Sequence, residues 1–285
     1  MALAGDEGRT LLAECPGALL QFFDTPQACA LRLVRREFQA AVAAHPWEDM
    51  ETVIQGSIGG WRACFPWARC ANVSAAWDGR SAPVDDADFV HFVGLWELDM
   101  CHCRAVTDAA FVHLRGIHVL DMNGCNQPAI TDAGLAHLVG IQKLCIAGCD
   151  QATLTDAAFA PLRGIRVLNM GGCLQLTDAA FAHLKGIHTL LMWDCNQPTI
   201  TDAALVHLKG IKCLVLWNCS IPFMEVGLIH LRGITRLHMR HANAASIAAA
   251  RDLGLPATTG DCIEISAFRF CDAESGPWPA GAEWM

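Results

Sequence analysis

The stretch DCNQPTITDAALVHLKGI (Asp194 to Ile211) has a near copy seventy residues earlier, GCNQPAITDAGLAHLVGI (Gly124 to Ile141). Cys, Asp and His fall at the same places in both. The pair is either a duplicated chemical site or a duplicated structural part. The Gly-Ile ending of each copy is the key to the rest of the chain. Gly116-Ile117, Gly140-Ile141, Gly164-Ile165, Gly186-Ile187, Gly210-Ile211 and Gly233-Ile234 lie 24, 24, 22, 24 and 23 residues apart, and Gly94-Leu95 precedes them by 22. A period in this range marks stacked units, none of which can bury its own apolar face alone.

The segments after each pair read LWELDMCHC, IHVLDMNGC, IQKLCIAGC, IRVLNMGGC, IHTLLMWDC, IKCLVLWNC and ITRLHMRHA. They follow the pattern L-x-x-L-x-L-x-x-C, the strand half of a leucine-rich repeat, with Ala242 closing the last. The other half of each unit predicts a short helix. In TDAAFVHLRG (Thr107 to Gly116) the Thr107 hydroxyl can accept from the first-turn N–H groups. Asp108 sits at the positive end of the helix dipole. Phe111 and Leu114 share a face, and Gly116 supplies a left-handed C-terminal cap. The same start recurs at Thr131, Thr155, Thr177 and Thr201 and decays at Met224. Stacking should bury Leu120, Leu144, Leu168, Leu190 and Leu214 in one column. Met122, Ile146, Met170, Met192 and Leu216 should fill another.

The expected fold is therefore an α/β solenoid with a curved parallel sheet and short convex helices. Its repeats occupy residues 95–254. A helical unit is expected over residues 1–55, and a linker with a degenerate repeat over 56–94. Within that linker FPWARCANV fits the template with Phe65, Ala68, Cys70 and Val73 inward. HANAASIAAARDLGLP (His241 to Pro256) reads as a capping helix, and residues 255–285 as a C-terminal cap or tail.

Composition narrows the functional classes. The chain has 285 residues, of which 53% are hydrophobic and 17% charged, so it can bury a large core. Its apolar runs are far shorter than a membrane span of about 20 residues. Asp6, Glu7 and Glu14 interrupt the N-terminus, where a secretion signal would be apolar and basic. A net charge of −9 disfavours a nucleic-acid backbone as the main partner. The expectation is a protein of the cytoplasm or nucleus with neither a membrane nor a nucleic acid as partner. Its 15 Cys then read as reduced, buried thiols.

The repeated polar residues are explained as parts. Cys103, Cys125, Cys149, Cys173, Cys195 and Cys219 form a column in which each thiol can donate to the neighbouring coil. A column is a line, whereas zinc needs four ligands converging on a point. In CHC, Cys101 should point outward and Cys103 inward, so their sulfurs diverge. His113, His137, His183, His207 and His230 flank the convex helices as half-exposed packing. Asp108, Asp132, Asp156, Asp178 and Asp202 start helices. No phosphate loop, nucleophile elbow or HExxH occurs. The expectation is a binding protein with no catalytic residues, metal or cofactor.

Function is then sought where the units differ, on the outward strand positions of the concave face. The first units offer Glu97, Asp99, Cys101 and Asp121. The middle ones are small and mostly neutral. Leu191, Trp193, Val215 and Trp217 follow, and Arg236, His238 and Arg240 end the row. Tryptophans flanked by Leu and Val make a poor solvent face and resemble a protein-binding hot spot. Trp193, Trp217, Leu191 and Val215 are expected to hold a client protein. Asp99, Asp121, Arg236, His238 and Arg240 are expected to orient it. Alternatively, the tail bearing Trp278 and Trp284 folds over the two tryptophans.

The N-terminal segment has a different grammar. Leu12, Leu19-Leu20, Phe23-Asp24, Leu31, Val34-Arg35-Arg36-Glu37-Phe38 and Trp47 follow in an order that resembles an F-box. Asp24-Thr25-Pro26 reads as a helix start. With cysteine-ended repeats behind it, the chain is similar to the F-box/leucine-rich-repeat family from Leu11 to Gly254. It departs from that pattern at Ala13, Arg35 and Phe38. The resemblance implies a substrate receptor of an SCF-type cullin-RING ubiquitin ligase. Leu19, Leu20, Phe23, Leu31 and Val34 would contact a Skp-type adaptor on the cullin scaffold or form the unit's own core, and the repeats would hold the client. The alternative is a stand-alone leucine-rich-repeat binder or inhibitor without a ubiquitin role.

Overall fold

A computed structural model describes residues 20, 23–33, 36–54, 56–74 and 83–260. Leu19, Val34, Trp278 and Trp284 lie outside these residues. Among the described residues, nine short strands pair in parallel in chain order. They are β1 (Cys70–Asn72), β2 (Glu97–Asp99), β3 (Val119–Asp121), β4 (Lys143–Cys145), β5 (Val167–Asn169), β6 (Thr189–Trp193), β7 (Cys213–Trp217), β8 (Arg236–His238) and β9 (Ala257–Thr258). The register carries Leu98, Leu120, Leu144, Leu168, Leu190, Leu214 and Leu237 straight across the sheet. All seven are fully buried, as are Met100, Met122, Met170, Met192 and Met239 in the next column. Each such side chain contributes roughly 1.5–3 kcal/mol by leaving water. The solenoid therefore has one continuous core.

The convex side is built as the repeat predicts, though its helices are shorter. Asp108–Phe111 is a single α-turn capped by Thr107, whose hydroxyl accepts from the Ala109 N–H. It tightens at once into a 3₁₀ turn, Val112–Leu114. Asp156–Leu162 is 3₁₀ throughout and contains Pro161, which has no N–H for an α-helical bond. Met224 caps without a side-chain bond. The helix Ala244–Asp252 closes the far end, capped by Asn243. The chain then adds β9, a strand the sequence pattern does not announce.

One register differs from expectation. β1 aligns Ala71 with Leu98, so Ala68, Ala71 and Val73 take the inward places assigned above to Phe65, Ala68 and Cys70. The Cys103 thiol donates to the Val73 carbonyl at 3.3 Å, which confirms the shifted alignment. Phe65 instead packs in a second core with Leu20, Ala28, Val42, Trp47 and Ala68.

That second core belongs to the N-terminal helices α1 (Thr25–Arg32), α2 (Arg36–Ala44) and α3 (Ile58–Cys64). Asp24 and Gln27 form a reciprocal capping box at α1, with Pro26 in its first turn. The Thr25 N–H and hydroxyl both donate to Asp49, at 2.9 and 2.8 Å. Burial raises the Asp49 pKa, but these bonds and those from Thr52 outweigh it and hold the carboxyl below its ordinary value. The Trp47 carbonyl accepts from the Arg69 N–H at 2.8 Å and so fastens the helical unit to the first coil.

Candidate binding surface

The six column cysteines lie inside the coils. Each thiol donates to the carbonyl two residues past the inward strand residue of the coil before it (a leucine in all but the first), as in Cys125 to Met100, Cys149 to Met122, Cys173 to Ile146 and Cys219 to Met192, at 3.0–3.2 Å. Burial pushes the Cys125, Cys149 and Cys173 thiols above their ordinary value. The repeat aspartates do more than start helices. Asp108 accepts from both the N–H and the hydroxyl of Thr131 in the next coil, at 2.8 and 2.6 Å. Asp132 does the same to Thr155, Asp156 to Thr177 and Asp178 to Thr201. Among the described residues, no cluster of three or more His, Cys, Asp or Glu is arranged to hold a metal ion.

On the concave face, the outward positions of β6, β7 and β8 make a small grid. Thr189, Cys213 and Arg236 form one row, and Leu191, Val215 and His238 the next. Trp193 and Trp217 pair in the third, and the Arg240 guanidinium lies 5.6 Å from the Trp217 ring centre. Leu191 and Val215 do not stand open to a partner as expected. They are 1% and 2% exposed and form a small cluster with Cys213, against which Trp217 packs. Trp217 packs against these smaller side chains, and the Trp193 ring lies over Gly171. The open contact surface is thus the half-buried faces of Trp193 and Trp217, bordered by Arg236, His238 and Arg240.

Trp193 has a platform that the sequence reading missed. A Cβ on Gly171 would lie 2.2–2.3 Å from Trp193 ring atoms, so the indole rests directly on the Gly171 backbone. The strand ends here lack the glycine of the three coils before them, as those at His102 and His241 do. Residues before the column cysteines are left-handed, and Gly124, Gly148 and Gly172 serve in three coils. Asp194 and Asn218 take that conformation after the tryptophans, at φ 54° and 52°. Asn and Asp tolerate it better than other non-glycine residues. The Asn218 amide donates to the Asp194 carboxylate, tying the two turns together.

The acidic end is partly structural. The Asp99 carboxylate accepts from the Cys101 N–H at 2.9 Å, and Asp121 from the Asn123 N–H at 3.0 Å. Both are half-buried neighbours on β2 and β3. Burial raises the Asp121 carboxyl, the Asn123 bond opposes this, and Asp99 adds to the rise. Burial likewise raises Glu97 against the pull of Lys143. The position just before each strand forms a further edge. There Arg69 lies 5.3 Å from the Trp96 ring centre, and Trp96 stacks on His118 at 3.5 Å. Arg166, His188 and Lys212 continue it toward the basic end. The residue after each Gly-Ile or Gly-Leu pair is the alignment column that would have revealed this edge.

In the helical unit, Leu20 is 1% exposed and belongs to the core, with Phe23 and Leu31 packed partly against it. Leu20 is therefore closed to a partner. Leu33, just past α1, is 90% exposed and was not singled out.

No family model matches the chain, and no curated protein does. Solved structures do match its fold. Internalin C2 from Listeria monocytogenes is similar over 70% of this chain and 84% of its own, at 17% identity and TM-score 0.53. TLR13, solved with ssRNA13, matches over 70% of this chain at 17% identity and TM-score 0.52. Toll from Drosophila, solved with Spatzle, matches over 68% at 15% identity and TM-score 0.51. The match covers 28% of the TLR13 chain and 26% of the Toll chain. The protein is a leucine-rich-repeat solenoid. No helix among the described residues is long and apolar enough to cross a membrane.

Proposed function

We propose that this protein is a non-enzymatic adaptor whose concave face captures a client protein. The supporting observation is the pairing of Trp193 with Trp217 on adjacent strands, half-exposed and followed by basic residues. The core columns are nearly invariant from coil to coil, whereas this row is not. Half-buried aromatics beside cations are the chemistry of interface anchors. The N-terminal unit supports the finer reading as a receptor of an SCF-type ubiquitin ligase in the cytoplasm or nucleus. Its capped helices and the exposed Leu33 beside them suit a helical contact with a Skp-type adaptor. The client would then be held near the ligase at high effective concentration. A stand-alone binder is the second reading, favoured by the fusion of the helical core to the first coil through Trp47 and Phe65.

Two variants separate the parts. Trp193→Ala removes a ring that rests on glycine and should abolish client capture while the melting temperature stays near that of the parent. Replacing Trp217 as well would uncover Val215 and Leu191 and confuse the result with unfolding. Leu33→Asp changes an exposed side chain and should end co-purification with a Skp-type adaptor. If the parent chain does not co-purify, or Leu33→Asp binds as well as the parent, the receptor reading fails and the stand-alone binder remains.

A further inference from the structure

The basic third of the concave face specifies the chemistry of what it holds, and this step rests on the client-binding reading above. Arg236 is exposed at the first row of the grid, and Lys212 is exposed at the strand edge beside it. The Arg236 N–H donates to the Lys212 carbonyl at 2.9 Å, so the two side chains spring from adjacent places. Among the described residues neither forms an ion pair with a carboxylate. Arg240 holds its guanidinium against the Trp217 ring, which turns an aromatic surface into a cationic one. The Asp194 carboxylate that follows Trp193 is engaged by the Asn218 amide. His188 reports the same field. Partial burial, then Arg166, Lys212 and Arg236, push its imidazole below the ordinary value. A chain with a net charge of −9 has thus gathered Lys212, Arg236 and Arg240 on the face that carries the two tryptophans.

We propose that the Trp193, Trp217, Arg236 and Arg240 face binds a short acidic segment of a partner protein, with an apolar side chain of that segment laid on the indoles. The size of the patch supports a short segment. Neighbouring strands are about 4.8 Å apart, so β6 to β8 spans only about 10 Å. A polyanion such as single-stranded nucleic acid would also find stacking and cations here. It would have to continue toward β2 and β3, where Glu97, Asp99 and Asp121 repel it. A peptide can confine its acidic residues to the basic end. The same acidic strands then fix its direction, because a segment laid the other way brings like charges together.

The test titrates full-length protein with three labelled probes and follows fluorescence anisotropy. One is a short peptide of Glu and Gly around a central Phe. The second has Lys for every Glu, and the third is an oligothymidylate of matching length. The acidic peptide should bind, weaken as salt rises, and quench tryptophan emission. Arg236→Glu should weaken it by about tenfold, since a like charge replaces an attracting one. Arg236 is exposed, so this variant keeps the fold. The proposal is overturned if the acidic peptide does not bind or Arg236→Glu leaves its affinity unchanged. Equal binding of the lysine peptide, or tighter binding of the oligothymidylate, also overturns it. Client capture under the same substitutions separates the two levels. Capture lost with Trp193→Ala but kept with Arg236→Glu leaves the binding face standing and removes the acidic chemistry. Capture kept in both removes the binding face itself.

Discussion

At the scale of single residues, the surface depends on where large side chains are permitted to lie. Trp193 can lie flat only because residue 171 is glycine. Gly171→Ala should force the indole off its seat, since a methyl there would overlap the ring by more than an ångström. The expected outcome is loss of near-ultraviolet circular dichroism from Trp193 and loss of client capture. The melting temperature should fall by only about 2–4 °C, the change expected for about 1 kcal/mol in a chain near this size. Asp121 gives a second residue-scale prediction. Burial raises its carboxyl above the unfolded value, so the native state holds its proton more tightly than the unfolded chain does. Its charge therefore costs stability above the native pKa, and that cost disappears as pH falls through it. Asp121→Asn should raise the melting temperature at neutral pH, because the amide oxygen can still accept from Asn123. The two proteins should converge under acid. A melting curve for the variant that lies below the parent's at neutral pH would contradict this account.

At the scale of the repeat unit, the ladders between coils do the joining. Each Thr-Asp rung carries two hydrogen bonds from one coil to the next, and each column Gln adds another. Gln127, Gln151, Gln175 and Gln197 donate through their side-chain amides to the Cys carbonyl of the preceding coil, at 2.9–3.3 Å. Asp132→Ala removes both bonds to Thr155 and should cost about 1–2 kcal/mol by urea unfolding. Asp202→Ala should cost less, because its rung reaches only the Met224 N–H. Equal losses would show that the carboxylates act through the helix dipole alone. These ladders mark the limit of what was legible in the sequence. Strands, caps, core columns and the inward thiols follow from periodicity and local chemistry, and the solenoid was readable from them. The Asp-to-Thr contact spans 21–23 residues, and each residue already had a sufficient local role. Spacing alone could not show the second role. The same holds for Leu191 and Val215. Alternation placed them outward correctly, but it could not show that they cluster with Cys213 and that Trp217 packs against them. In the degenerate first coil Phe65 mimicked a repeat leucine, and the pattern was read three residues early.

At the scale of the whole molecule, a stacked solenoid must protect its ends, because a terminal coil has a neighbour on one side only. The far end is closed by the helix Ala244–Asp252, whose Ser246 hydroxyl donates to the Ile221 carbonyl at 3.2 Å, and by β9. The near end is closed by the helical unit, and Trp47 is the joint. Its ring is 2% exposed and packs edge-on to Phe65 at 5.5 Å. Its Nε1–H donates to the Val42 carbonyl at 2.8 Å, and its own carbonyl holds the Arg69 N–H. The helical unit is therefore both a candidate partner-binding module and a cap, so deleting it outright would confound the two roles. Trp47→Ala separates them. It removes a buried aromatic and should cost about 3–5 kcal/mol locally. In a quasi-one-dimensional array the damage should stay near its source. Hydrogen exchange should accelerate first in β1 and the Ile58–Cys64 helix, while β6 and β7 keep their protection and the acidic peptide still binds. If protection fell evenly from β1 to β8, the chain would unfold as one cooperative block. Binding at the far end would then be coupled to whatever holds the helical unit.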